Sequence, residues 1–136
     1  MITAVDSSVL LDVYGADETF GPRSQRALRR ALAEGGLVAC EVVWAEVGAA
    51  FPTPAAAAGA LASLGVTFIP MAQLEAVAAG QVWKEYRRRG GTRSRIIADF
   101  LVGTHAMERA DRLLTRDRGF YRSYFDRLAI LDPTDT

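Results

Sequence analysis

Four acidic side chains stand where an acid is conspicuous. Asp6 ends the apolar run "ITAV", and Asp117 follows the apolar "LLT" by two residues. Ligands of open α/β sheets bind beyond the carboxyl ends of the strands, so both positions are ones where chemistry is done. Taken singly, each also has a plain structural use, Asp6 as a helix cap and Asp117 as a turn residue. Glu46 and Asp99 lie inside helical stretches. Val42, Val43, Ala49 and Ala50 surround Glu46 one turn away, and Asp99 shares its helix face with Gly103, Ala106 and Ala110. An unpaired carboxylate on an apolar stripe is costly to bury. An internal ion pair with an arginine would relieve one such acid, but it is a strained account of two, with two more at strand ends.

Carboxylates brought together raise one another's pKa, and a cation among them keeps them ionised. Donors that are all oxygen select a hard ion, Mg2+ or Mn2+. Zinc has no cluster to compete with: His105 is the only histidine, read as structural or surface-exposed, and Cys40 is the only cysteine. A lone cysteine also excludes an intrachain disulfide.

The elements that would carry these acids alternate. "ITAV" reads as a buried strand and "SSVLLDVY" as a helix with Ser7 or Ser8 as its N-cap. Pro22 opens a second helix in its first turn. Its apolar stripe is Ala27, Leu28, Ala31 and Leu32, opposed by Arg23, Arg26, Arg29 and Arg30. "LVAC" is a strand, "EVVWAEVGAAF" a helix stopped by Pro52, residues 55–64 an Ala-rich helix, and "GVTFIP" a strand. Residues 72–88 read as a long amphipathic helix with Leu74, Val77, Ala78 and Val82 inward. A basic loop, "RRRGGTRS", leads into the helix "RIIADFLVGTHAMERA". "LLT", the helical turn "RGFYRSYF" and a last strand "LAIL" complete the chain. Short, wholly apolar strands alternating with helices predict an α/β fold, a parallel sheet flanked by helices on both faces.

The chain has 136 residues, enough for one domain over residues 1–136. Half of the residues are apolar and 24% charged, a globular balance. The formal net charge is zero, but residues 84–127 hold twelve basic side chains against six acids, and the rest of the chain four against ten. A +6 segment beside a −6 remainder points to an anionic ligand near the second half. All but Lys84 of the basic residues are Arg, which suits bidentate phosphate contacts. No signal peptide or bilayer-spanning run is visible, so the default expectation is the cytoplasm.

In this order and at these separations, "VDSSVLLD", "VVWAEV", "IIADFLVGTHA" and "LLTRDRGF" resemble the PIN-domain ribonucleases, and within them the VapC toxins of bacterial toxin–antitoxin pairs. The resemblance implies a PIN domain with Asp6, Glu46, Asp99 and Asp117 as catalytic and metal-site acids, supported by Ser7 and Thr115. It implies Mg2+- or Mn2+-dependent endonucleolytic cleavage of RNA by a metal-activated water, with no protein nucleophile. Arg93, Arg95, Arg116 and Arg118 are candidates for contacts to flanking phosphates. Asp12 is expected on a different helix face from Asp6, and Asp111, Asp126, Asp132 and Asp135 at the surface or in turns. The implied partners are an RNA substrate, a small antitoxin and a second copy of the chain. Trp44 and Phe51 could line a groove for an antitoxin helix, or be ordinary core. The alternative function is a PIN-like module that binds RNA or protein without catalysis. A phosphatase or receiver domain is disfavoured, because the only lysine, Lys84, precedes the third acid.

Overall fold

Five strands, β1 (Ile2–Val5), β2 (Gly36–Ala39), β3 (Val66–Phe68), β4 (Arg112–Leu114) and β5 (Ala129–Leu131), form one sheet in the order β3-β2-β1-β4-β5. Every pairing is parallel, with Ala4 between Val38 and Leu113 at the centre. This is the computed structural model of the chain, and it describes residues 1–93 and 95–135; Ser94 of the basic loop and Thr136 lie outside the described residues. Among the described residues seven helices connect the strands: α1 (Ser7–Tyr14), α2 (Gly21–Glu34), α3 (Glu41–Gly48), α4 (Pro54–Leu64), α5 (Gln73–Arg88), α6 (Ile97–Arg109) and α7 (Arg118–Tyr124).

Successive strand residues point to opposite faces of a sheet. Thr3, Ala4 and Val5 are all buried, as are Arg112, Leu113 and Leu114, so both faces of the central strands are covered. β3 and β5 are the edges and stay partly open. Buried Arg112 is satisfied by Thr3 Oγ1 at 2.9 Å and Glu34 at 2.8 Å. Because the chain winds outward from β1 to β2 and β3 and then returns to place β4 on the other flank of β1, the strand order reverses between β1 and β4. That switch point is where a parallel sheet opens a crevice at its carboxyl end.

Three expectations are corrected. Asp6, and not Ser7 or Ser8, occupies the N-cap position of α1, since the helix starts at Ser7. On α5, Leu74 is 80% and Val77 58% exposed, while Ala79 and Tyr86 are buried and Val82 and Trp83 pack on the core. The helix is rich in alanine, so two stripes compete at helical spacing, and packing against α6 selects the one through Glu75, Ala79, Val82 and Tyr86. Glu75 is held there by Arg109 at 2.7 Å. On α2, Leu32 lies at the margin of the stripe and is 39% exposed. His105 is buried, and its Nε2 donates to the Ile69 carbonyl at 2.8 Å, a structural role. α6 can lie close to its neighbours because Gly103 has no side chain: a Cβ there would sit 2.5 Å from the buried Phe125 ring.

Candidate active site

The switch point carries the acids. β1 hands over to α1 at Asp6, whose amide donates to the Leu114 carbonyl at 3.0 Å, continuing the β1–β4 ladder by one residue. Asp6 sits at the N-cap position, yet its side chain makes no capping hydrogen bond. It accepts instead from Thr115 Oγ1 at 2.8 Å, on the neighbouring strand end. Thr115 Oγ1 also accepts from the Asp117 amide at 3.0 Å, so one buried hydroxyl orients two strand-end acids. Asp117 likewise stands at the N-cap position of α7 without capping it with its side chain.

α6 brings Asp99 to the same place in its first turn, where Asp99 Oδ2 accepts from the Ile96 amide at 3.2 Å. A cavity of about 360 Å³ is lined by Asp6, Ser7, Ser8, Asp99, Arg116 and Asp117. Glu46 reaches it from α3 through Ser7, whose hydroxyl donates to Glu46 Oε1 at 3.1 Å. The burial expected of Glu46 is corrected: α3 turns Val43 and Val47 inward and ends at Gly48, so the apolar stripe read through Ala49 and Ala50 does not form and Glu46 is exposed.

Burial pushes the Asp6 carboxyl up to about 6, with the charges of Glu46 and Asp99 adding to it and the Thr115 hydrogen bond opposing it. The Asp99 carboxyl is also raised, by burial first and further by Asp117, against the Ile96 amide and Arg95. The acids therefore feel one another across the cavity and hold more negative charge than the protein around them neutralises. Oxygen donors in such surplus fit a hard divalent cation in kind. As the side chains stand, no three Asp, Glu, His or Cys among the described residues close on one point. One reason is visible: Asp117 is engaged by Arg95, which pairs with both of its carboxylate oxygens and stacks on the Phe120 ring at 4.3 Å.

Two of the other candidate arginines are also engaged. Arg116 is held by Asp12 at 2.8 and 3.1 Å and lies over Phe20. Arg118 pairs with Asp132 and Asp135. Arg93 is exposed and has no carboxylate partner among the described residues. Asp12 and Asp132 are buried, the latter in a turn where its side chain accepts from the Thr134 amide at 2.8 Å. Asp12 does lie off the Asp6 face, and it also accepts from Ser24 Oγ at 2.9 Å. Tyr121 was not singled out by its type. It is buried among Asp6, Asp99 and Asp117, and burial and those charges keep its phenol protonated. Trp44 and Phe51 are half-buried, edge-on to Phe68 and Tyr14 respectively.

The chain resembles known proteins along most of its length. The family model for the PIN domain matches residues 3–126. No curated protein sequence matches the chain. Among solved structures, VapBC-1 from nontypeable Haemophilus influenzae superposes with a TM-score of 0.74 at 14% identity, over 99% of this chain and 100% of that one. VapBC2 from Rickettsia felis, bound to a DNA fragment from its promoter, gives 0.72 at 16%, over 97% and 98%. FitAcB from Neisseria gonorrhoeae gives 0.69 at 17%, over 100% of both.

Proposed function

We propose that this chain, which belongs to the PIN domain family, is a divalent-metal-dependent endoribonuclease and the toxin of a toxin–antitoxin pair. The observation that carries the nuclease reading is that Asp6 after β1, Asp99 of α6 and Asp117 after β4 line one cavity at the topological switch point, with Glu46 of α3 joined to it through Ser7. Asp6, Glu46, Asp99 and Asp117 would hold Mg2+ or Mn2+, which when bound neutralises a phosphate oxygen and lowers the pKa of a water. Thr115 fixes the rotamer of Asp6, and Ser7 that of Glu46. Asp99 Oδ2 is held by the Ile96 amide, which leaves Oδ1 to orient a water and take its proton. Arg93 stands ready for phosphates, whereas Arg95, Arg116 and Arg118 must first leave Asp117, Asp12 and Asp132.

The toxin reading is supported by similarity to VapBC and FitAcB structures along the whole chain. It carries with it a small antitoxin and a homodimer as partners, and the cytoplasm as the place of action. Among the described residues no helix is long and apolar enough to cross a membrane. The half-buried Trp44 and the 47% exposed Phe68 beside it offer an apolar ledge for an antitoxin helix. The test is incubation of the purified chain with a mixed RNA pool. Cleavage at internal positions is expected with Mg2+ or Mn2+, none in EDTA, and loss in Asp99→Asn. Intact RNA under every metal condition would refute the nuclease and leave a binding module. On expression the chain should arrest growth, and the product of an adjacent small reading frame should relieve the arrest.

A further inference from the structure

Where α5 gives way to α6, the chain crosses a basic turn whose shape is set by two glycines. Gly90 has φ +82°, a left-handed conformation that suits glycine, and a Cβ on Gly91 would fall 2.2 Å from the Tyr86 ring. Tyr86 Oη donates to the Thr92 carbonyl at 2.8 Å, tying the turn back to α5. Beside it lies a hollow of about 400 Å³ lined by Trp83, Arg87, Arg93, Arg95, Ile96 and Ile97. Its walls are apolar and open: Ile96 is 58% and Ile97 36% exposed. Its rim is cationic, with Arg87 over the Trp83 ring at 4.5 Å. Among the described residues neither Arg87 nor Arg93 has a carboxylate partner, in contrast to Arg95, Arg116 and Arg118. Arg95 belongs to both places, since it lines this hollow and grips Asp117 of the acid cavity.

We infer that this hollow is a subsite for one unpaired base of the RNA, with Arg87 and Arg93 on the phosphates flanking it. An indole and two isoleucines offer the flat apolar contact that any base face can use, and unpaired guanidiniums offer the charge that the phosphodiester requires. Single-stranded RNA presents both at nucleotide spacing, whereas a duplex hides its base faces. The contiguity through Arg95 sets the strand running from the hollow onto the acids. The inference rests on the nuclease reading for its orientation, but base binding in the hollow can be measured without cleavage.

The experiment is fluorescence anisotropy in EDTA, with a fluorescein-labelled 2′-O-methyl RNA octamer and an abasic octamer of the same charge as probes. The wild-type chain is expected to bind the octamer roughly five- to a hundredfold more tightly than the abasic strand. Ile96→Ser, at an exposed position, should erase that preference and leave abasic binding unchanged. Arg87→Ala with Arg93→Ala should weaken both probes and reduce the slope of log K against log salt by about 1.4. Retention of the base preference in folded Ile96→Ser overturns the inference, as does competition by an acidic peptide at lower concentration than the octamer. Cleavage of the unmodified octamer in Mn2+ is scored separately. Cleavage without base preference refutes only the subsite, and base preference without cleavage refutes only the nuclease.

Discussion

Replacing Asp6 by Asn should stabilise the metal-free protein while removing its response to metal. The Asp6 carboxyl has an ordinary value of 3.8 and stands at about 6 in the folded chain. Well below pH 3.8 the group is protonated in both folded and unfolded chains and contributes no difference. Between pH 4 and 6 the folded chain keeps a proton that the unfolded chain has lost, so stability falls as pH rises. Above pH 6 the deficit is complete, and two pKa units correspond to about 3 kcal/mol as a ceiling. Asn approximates the neutral acid, and its Oδ1 can still accept from Thr115 Oγ1. For a domain of 136 residues the gain corresponds to a rise in Tm on the order of 10 °C. Thermal unfolding in EDTA at pH 7.5 should therefore favour Asp6→Asn, and at pH 4 the difference should shrink to a small fraction of that. With millimolar Mn2+ at pH 7.5 the wild type should gain and the variant should not, since only a ligand of the native state stabilises. A difference in Tm that is the same at pH 4 and pH 7.5 would refute the electrostatic reasoning.

Other perturbations probe the frame around the acids. Gly103→Ala should cost about 1–3 kcal/mol in urea denaturation, because the new methyl meets the Phe125 ring, itself locked between Phe120 and Tyr121. Arg116→Ala should cost about 1–3 kcal/mol by leaving the buried Asp12 carboxylate with only Ser24; unchanged stability with weakened RNA binding would make Arg116 a substrate contact instead. Arg95→Ala should release Asp117 and tighten Mn2+ binding several-fold in the absence of RNA, measured by calorimetry, and an unchanged affinity would show that the pair does not compete with a metal.

Much of this site was legible in the chain because strand ends and helix faces leave local marks. An apolar run that stops at Asp6, and another that stops shortly before Asp117, identify two strand ends without any tertiary information. The small residues along the Asp99 face suit close packing, and Gly103 against Phe125, at the end of α7, is one such contact. Glu46 was located for a reason that does not hold. Its flanking apolar residues suggested burial, but α3 ends before two of them and leaves the carboxylate exposed. What could not be read locally was pairing across the chain. Arg95 with Asp117, and Arg116 with Asp12, join residues 22 and 104 positions apart, and one arginine among many carries no mark of its partner. The face of α5 was ambiguous for a related reason. In an alanine-rich helix the apolar stripe is a weak signal, and contact with α6 decides between two candidates.

The central claim is that four acids far apart in the chain hold one cation, and calorimetric titration of Mn2+ into the metal-free protein tests it most directly. The wild type should bind, and Asp6→Asn, Glu46→Gln, Asp99→Asn and Asp117→Asn should each bind at least about tenfold more weakly, a loss of about 1.4 kcal/mol or more per carboxylate. Asp111→Asn, which removes an exposed acid that accepts from the Ile2 amide, should bind as the wild type does. Equal Mn2+ affinity in the wild type and all four site variants would contradict the account.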